Sequence, residues 1–314
     1  MLAIGIDVGG TKIGGGVVTA AGEILDREQV PTPGSDRAGT LDAMLGVVES
    51  LRARNQGIAA IGVGAAGLVE WPEGRIRFAP HNAYPHGSLR SLLTERTGLP
   101  TIVDNDANVA AWAEARYGAG LGSDHLILLA LGTGVGAGLI LDGRVYRGAT
   151  GLGGEFGHIT VDATGGARCT CGNVGCFEAV ASGSALGRDG RAAAAADPQG
   201  LLATLAGAPD RVTGVVVFEA ARQGDPTALA LFERVGRWLG VGIAIAVTLF
   251  DPQVVVVGGG LARAADLLLG PANASMEEFV FGRRFRTLPP VVVARLGPDA
   301  GIVGAGTLAL QPSP

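Results

Sequence analysis

The chain has 314 residues, 47% hydrophobic and 17% charged, which supplies a sizeable core and excludes a disordered chain. A formal net charge of −5 argues against a nucleic-acid partner. No secretory leader opens the sequence, and the apolar run near 241–250 stops at Asp251-Pro252, short of the roughly 18 residues of a membrane span, so a cytoplasmic protein with no membrane partner is expected.

Residues 2–8 read as an apolar strand with Asp7 near its end, Gly9-Gly10-Thr11-Lys12 as a tight turn, and 13–19 as the returning strand. Ala20-Ala21-Gly22-Glu23 marks a second hairpin turn. Leu41, Met44, Leu45, Val48 and Leu51 give residues 40–55 helical spacing. A buried strand over 58–65 runs into Ala66-Gly67. A helix over 89–97, closed by Gly98 and Pro100, precedes a strand at 101–104 and a helix at 108–117. A second buried strand, 125–131, meets the turn Gly132-Thr133-Gly134, returns over 136–141, and enters 144–147 through Asp142-Gly143. This order repeats the N-terminal one and reads as an internal duplication.

Residues 148–184 are glycine-rich and loop-like, and 188–209 are alanine-rich with proline breaks. Helices are expected at 218–223 and 226–249, and a strand at 253–257 enters Gly258-Gly259-Gly260 and a further helix. A strand at 291–296 and a small-residue helix at 300–310 close the chain. Strands alternating with helices, without a flexible linker, predict an α/β protein of two lobes packed together.

Five segments carry chemistry. In Asp7-Val8-Gly9-Gly10-Thr11-Lys12, glycines let backbone N–H groups approach a phosphate. Thr11 adds a hydroxyl, Lys12 a cation, and Asp7 a carboxylate suited to Mg²⁺ through water. Lys12 is the single lysine among 24 basic residues. Gly132-Thr133-Gly134 offers the same donors again. Neither turn is a Walker A loop or a dinucleotide fingerprint, because each is followed by a strand. Gly258-Gly259-Gly260 before a helix suits an anion or a ribose, or else close packing of strand on helix. Asp104-Asn105-Asp106-Ala107-Asn108 lies at a strand's C-terminal end, where α/β sheets bind ligands. One of its polar residues serves as an ordinary N-cap, and a carboxylate there can act as a general base on an alcohol.

The fifth segment joins Glu155 and His158 to Cys169, Cys171, Cys176 and Glu178. Three thiolates and an imidazole complete a Cys₃His tetrahedron, a closed structural Zn²⁺ site that orders its loop and does not activate water. The second imidazole nitrogen and the two flanking carboxylates then suit sugar hydroxyls, which both donate and accept. His81, His86 and His125 read as surface or capping residues.

Together these motifs, in this order, resemble the ROK family (repressors, open reading frames, kinases), and in particular its sugar kinases. Ala65-Ala66-Gly67 resembles the bacterial, actinobacterial-type glucokinase branch. The resemblance implies a two-lobed actin-like ATPase fold, a duplicated ribonuclease H-like unit with its active site in the interlobe cleft. The small lobe would hold 1–107 plus 300–314, since the final helix would return to it, and the large lobe 108–299. The resemblance also implies ATP-dependent phosphorylation of the 6-hydroxyl of glucose in glycolysis. Asp106 is the implied base. Ala66, Gly67, Asn105, Glu155, His158 and Glu178 are implied at the sugar. Asp7, Gly9, Gly10, Thr11, Lys12, Gly132, Thr133, Gly134, Gly258, Gly259 and Gly260 are implied at Mg²⁺-ATP, and His158, Cys169, Cys171 and Cys176 at zinc. A homodimer or homotetramer is the implied assembly. Another hexose (N-acetylmannosamine, N-acetylglucosamine or fructose) and polyphosphate as donor remain alternatives. So does a sugar-sensing regulator, although a first strand at Leu2 leaves no room ahead of it for a DNA-binding head.

Overall fold

The structure is a computed structural model that describes residues 1–79 and 82–311; the expected surface role of His81 lies outside these. The chain divides into two compact units, one of 1–128, 138–154 and 294–314, the other of 129–137 and 155–293.

The first unit opens with an antiparallel meander, β1 (Leu2–Val8), β2 (Lys12–Thr19) and β3 (Ile24–Pro31). Helix α1 (Arg37–Arg54), capped by Asp36, leads to β4 (Ile58–Ala65), which pairs parallel to β1. A hairpin of β5 (Leu68–Glu70) and β6 (Arg75–Phe78) follows, then α2 (Leu89–Thr97), β7 (Thr101–Asn105) parallel to β4, and α3 (Asp106–Tyr117). The sheet order is β3-β2-β1-β4-β7. Its central strands are continuous apolar runs because both faces are covered. Met44, Val47, Val48 and Leu51 of α1 are buried in one core with Ile4, Ile6, Ile61 and Val63.

The chain continues through β8 (Leu126–Leu131), β9 (Val135–Leu141) and β10 (Arg144–Val145), then α4 (Glu178–Ala181), α5 (Gly183–Ala196), α6 (Leu201–Ala206), α7 (Gly214–Arg222) and α8 (Pro226–Phe250). β11 (Val254–Gly258), α9 (Ala265–Phe279), β12 (Val291–Val293) and α10 (Ala300–Ala309) complete it. The order β10-β9-β8-β11-β12 reproduces that of the first sheet, as the duplicated pattern predicts.

Glycines set how closely α10 packs. A Cβ on Gly5 would lie 1.9 Å from the Ile302 carbonyl oxygen, one on Gly62 1.8 Å from that of Ala305, and one on Gly304 1.8 Å from that of Val109. Helix, sheet and α3 therefore meet backbone to backbone, which no larger residue allows. Glu114 of α3 is fully buried, and its carboxylate accepts N–H bonds from Ala119, Arg295 and Leu296 at 2.7–3.0 Å. A buried carboxylate is tolerable only when satisfied in this way.

Several bounds differ from the sequence expectation. α3 starts at Asp106 instead of 108, because the Asn105 side chain caps it. α7 starts at Gly214, ahead of the β-branched Val215-Val216-Val217, because Thr213 caps Val216 and tertiary packing overrides a weak propensity. The strands expected at 144–147 and 291–296 are two and three residues long. The 188–209 stretch contributes to two helices, α5 and α6.

Candidate active site

In the first unit, pairing of Val8 with Ile13 makes Gly9-Gly10-Thr11 the reversal between β1 and β2. Gly9 N–H donates to the Lys12 carbonyl at 3.0 Å, and the Thr32 hydroxyl donates to the Gly9 carbonyl at 2.7 Å. Gly10, Thr11 and Lys12 are exposed, and Lys12 Nζ donates to Gln29 Oε1 at 3.2 Å. The Asp7 carboxyl packs against Gly301 in the first turn of α10, where a Cβ would stand 2.7 Å from its Cγ. Burial first, then the charge of Asp106, lifts the Asp7 carboxyl to about 6, against the opposing pull of Lys12.

That shift carries a sign. An unfolded carboxyl ionises near pH 4, so between about pH 4 and 6 the unfolded chain is ionised while folded Asp7 is not. Folding stability is lost across that window, and the loss stays constant above it. Asp7→Asn is therefore expected to raise the unfolding free energy at pH 7 and to leave it unchanged near pH 3.5, read from urea unfolding at both values. A less stable variant at pH 7 would contradict this.

The β7–α3 turn holds Asp106 at the first helical position. Asn105 Oδ1 accepts the N–H groups of Ala107 and Asn108, and its Nδ2 donates to the Gly67 carbonyl at 3.1 Å. Asn105 is thus both the N-cap and a tie to the Ala66-Gly67 turn. Gly67 has φ +125, and a Cβ there would strike the Phe78 carbonyl at 2.3 Å, so only glycine fits. Asp106 accepts from the Ala107 N–H at 2.9 Å, and burial holds its carboxyl above the usual range. Asn82 and Tyr84, which sequence reasoning passed over, complete this neighbourhood. Asn82 Nδ2 donates to the Val8 carbonyl and the Tyr84 hydroxyl, both at 3.1 Å, and its buried Oδ1 has no partner among the described residues. Burial, aided by the charges of Asp106 and Asp7, keeps the Tyr84 phenol protonated. The charge of Asp106 thus reaches both Asp7 and Tyr84.

In the second unit, Gly132 N–H donates to the Gly134 carbonyl at 2.9 Å, and Gly183 N–H donates to the Gly132 carbonyl at 2.8 Å. Gly132, Thr133 and Gly260 line a cavity of about 780 Å³ with Gly183, Ser184, Thr213, Gly214 and Phe218. A Cβ on Gly183 or Gly214 would come within 2.8 Å of a neighbouring carbonyl oxygen. Glycine therefore lets the N-terminus of α5 close on the Gly132 turn and that of α7 on the start of α5, an arrangement suited to phosphate and ribose. Sequence reasoning missed Gly183 and Gly214. The signal was the Ser182-Gly183 and Thr213-Gly214 pairs, each an N-cap followed by glycine. Gly258 and Gly259 are not in the lining. Gly259, at φ +82, packs on β8, where a Cβ would meet Leu131 backbone at 2.3 Å, and a 3₁₀ turn at Gly260–Ala264 separates it from α9.

Glu178 also binds locally. Its Oε2 accepts the Val135 N–H at 3.0 Å, just beyond Gly134, and its Oε1 accepts the Thr170 hydroxyl at 3.2 Å. It ties the second Gly-Thr turn to the cysteine loop. In that loop the ligand atoms of His158, Cys169, Cys171 and Cys176 lie within 4.8 Å of one another, and none of the cysteines is in a disulfide. Cys171 and Cys176 sulfurs are 3.7 Å apart, and Cys169 Sγ is 3.6 Å from His158 Nδ1. A tetrahedron with Zn–S bonds of 2.3 Å has edges of about 3.8 Å, so this donor set fits zinc. Gly175, at φ +74, makes the sharp bend; a Cβ there would overlap the Asp162 carbonyl at 1.7 Å. Burial and the neighbouring thiols push Cys176 up to about 12, a cost that a bound dication reverses. With Nδ1 at the sulfur, His158 keeps Nε2 for another partner.

A larger cavity of about 1,240 Å³ in the first unit, bordered by Trp71, Arg90 and Trp112, includes none of the site residues expected from sequence. Among the described residues, no helix is long and apolar enough to cross a membrane.

The model of the ROK family matches residues 3–312. The chain is 42% identical to a glucokinase of Streptomyces coelicolor over 316 residues, covering 100% of this chain and 99% of that one. It is 35% identical to an N-acetylmannosamine kinase of Escherichia coli, covering 98% of each. A ROK family glucokinase from Streptomyces griseus, solved with glucose and AMPPNP, superposes with a TM-score of 0.87 at 42% identity, covering 99% of this chain and 100% of that one.

Proposed function

The chain belongs to the ROK family, and we propose that it is an ATP-dependent glucokinase, moving the γ-phosphoryl group of ATP to the 6-hydroxyl of glucose. The observation that carries this reading is the full-length 42% match to a glucokinase solved with glucose and AMPPNP. The buried Asp106 carboxylate supplies the matching chemistry.

Asp106 accepts the proton of the sugar's 6-hydroxyl as that oxygen attacks the γ-phosphorus in line. Asn105, Glu155, His158 and Glu178 hold the other hydroxyls beside Ala66 and Gly67, which fixes the attacking oxygen. Backbone N–H groups of the Gly9-Gly10-Thr11 and Gly132-Thr133-Gly134 turns, with Lys12, stabilise charge on the transferring group. Asp7 would hold, through water, the Mg²⁺ that neutralises phosphate charge. His158, Cys169, Cys171 and Cys176 would hold zinc, which orders the loop carrying His158 and Glu178.

A coupled assay of ADP release with ATP and a panel of glucose, N-acetylmannosamine, N-acetylglucosamine and fructose tests the reading. Glucose is expected to lead in kcat/KM by about 10–200-fold, the scale on which a pocket discriminates one small group. A lead by N-acetylmannosamine, the substrate named for the Escherichia coli relative, would overturn it. Substituting polyphosphate for ATP, with formation of the sugar phosphate as the readout because no ADP is then released, settles the donor. We also infer a homodimer or homotetramer, read by light scattering on the eluting protein.

A further inference from the structure

We propose that Arg147 is a positioning residue for phosphoryl transfer, because its guanidinium fastens the β7–α3 turn that carries Asp106. The inference rests on the kinase reading above. Asp104, two residues before Asp106, is buried, and its carboxylate is fully engaged. Oδ1 accepts the Asn105 N–H at 2.8 Å and Asn108 Nδ2 at 2.9 Å, and Oδ2 accepts Arg147 Nε at 2.7 Å. The side chains of Arg147 and Asp104 are 15% and 4% exposed, against 53% and 40% in the surface pair Arg27–Asp299. Surface pairs contribute little. In a buried pair, loss of one partner strands the other's charge and forces its surroundings to rearrange.

Arg147 also fastens two other segments. Its guanidinium lies 3.8 Å from the Trp71 ring centroid, a cation–π contact. Trp71 N–H donates to the Thr150 carbonyl at 3.0 Å, and Gly153 N–H donates to the Arg147 carbonyl at 2.9 Å. A close approach of backbone to backbone supports this junction, since a Cβ on Gly151 would lie 2.4 Å from the Trp71 nitrogen. One side chain thus joins the base-bearing turn, the residue after β5, and the segment that runs on in sequence to Glu155 and His158. A planar fork can stack on Trp71 and donate edge-on to Asp104 at once, which a lysine ammonium cannot do. Arg147 touches none of the reacting atoms in this scheme. It acts through Asp104 on the aim of Asp106, where a displacement of about 1 Å costs on the order of 10²-fold in rate.

The test compares Arg147→Lys, Arg147→Met, Arg147→Ala, Asp104→Asn and the double variant Arg147→Met/Asp104→Asn, each checked for folding by circular dichroism and thermal unfolding. In folded Arg147→Lys and Arg147→Met, kcat is expected to fall about 10–100-fold with KM for ATP within about twofold of wild type. The double variant should be no slower than the slower single, because both act through one contact. Guanidinium ion at millimolar concentration should restore part of the kcat of Arg147→Ala. The proposal is overturned by kcat within about twofold of wild type in folded Arg147→Lys and Arg147→Met, by multiplicative losses in the double variant, or by a rise in KM for ATP that matches the fall in kcat. A wild type that leaves glucose untouched but phosphorylates another hexose defeats only the glucose assignment, and the same variants are then read on that hexose.

Discussion

Asp106→Asn is expected to lower kcat by roughly 10²–10⁴-fold, the scale of a lost general base, while glucose still binds. The amide keeps the shape and can still accept the Ala107 N–H that orients the carboxyl, so α3 should start where it does now. What it loses is the ability to take a proton. Isothermal titration with glucose measures the retained binding, and the coupled assay measures turnover. Near-normal turnover would remove Asp106 from the role. The wild-type pH profile gives a second reading. Burial raises the Asp106 carboxyl above the usual range. The base must be ionised to act, so kcat/KM should fall on the acid side of the profile. Its acidic limb should stand well above the pH 4 of an ordinary carboxyl. A flat profile down to pH 4.5 would contradict the assignment.

Cys171→Ser is expected to release the metal and, with it, the sugar. Cys171 is the exposed member of the cluster, so the substitution leaves the buried core undisturbed and removes one sulfur from the tetrahedron. The wild type should contain one zinc per chain by elemental analysis, and the variant far less. His158 and Cys169 are 3.6 Å apart, and Glu178 accepts from Thr170 within the same loop, so loosening the cluster frees the imidazole and that carboxylate together. Losing two or three hydrogen bonds of about 0.5–1.5 kcal/mol each should raise KM for glucose by roughly 10–10³-fold. KM for ATP should change far less. An active wild type without metal would sink the zinc assignment.

The parts of this site legible in the sequence are those where chemistry is local. Asp7 to Lys12 announces a turn by its glycines, and the three cysteines announce a metal by their spacing. Asn105 was readable as a cap or as a sugar ligand, and its cap is visible in the bonds to Ala107 and Asn108. What stayed hidden depends on contacts distant in sequence. Arg147 gives no sign of Asp104, 43 residues away, and Glu178 gives none of the turn it braces at Val135. The β5–β6 hairpin is too short to show a period. The many glycines could be counted but not placed, since what Gly62 or Gly183 excludes is a carbonyl from another segment.

The return of α10 to the first sheet has a consequence for synthesis. The residues of 155–293 form one unbroken stretch of the second unit, and only 129–137 must join it, all made earlier by the ribosome. The first unit is different. Gly5 and Gly62 present bare backbone to Ile302 and Ala305, so its sheet lacks the cover of α10 until residues 300–309 leave the exit tunnel. While residues 118–299 are being made, β1, β2 and β4 therefore already exist without the helix that their glycines are shaped to receive.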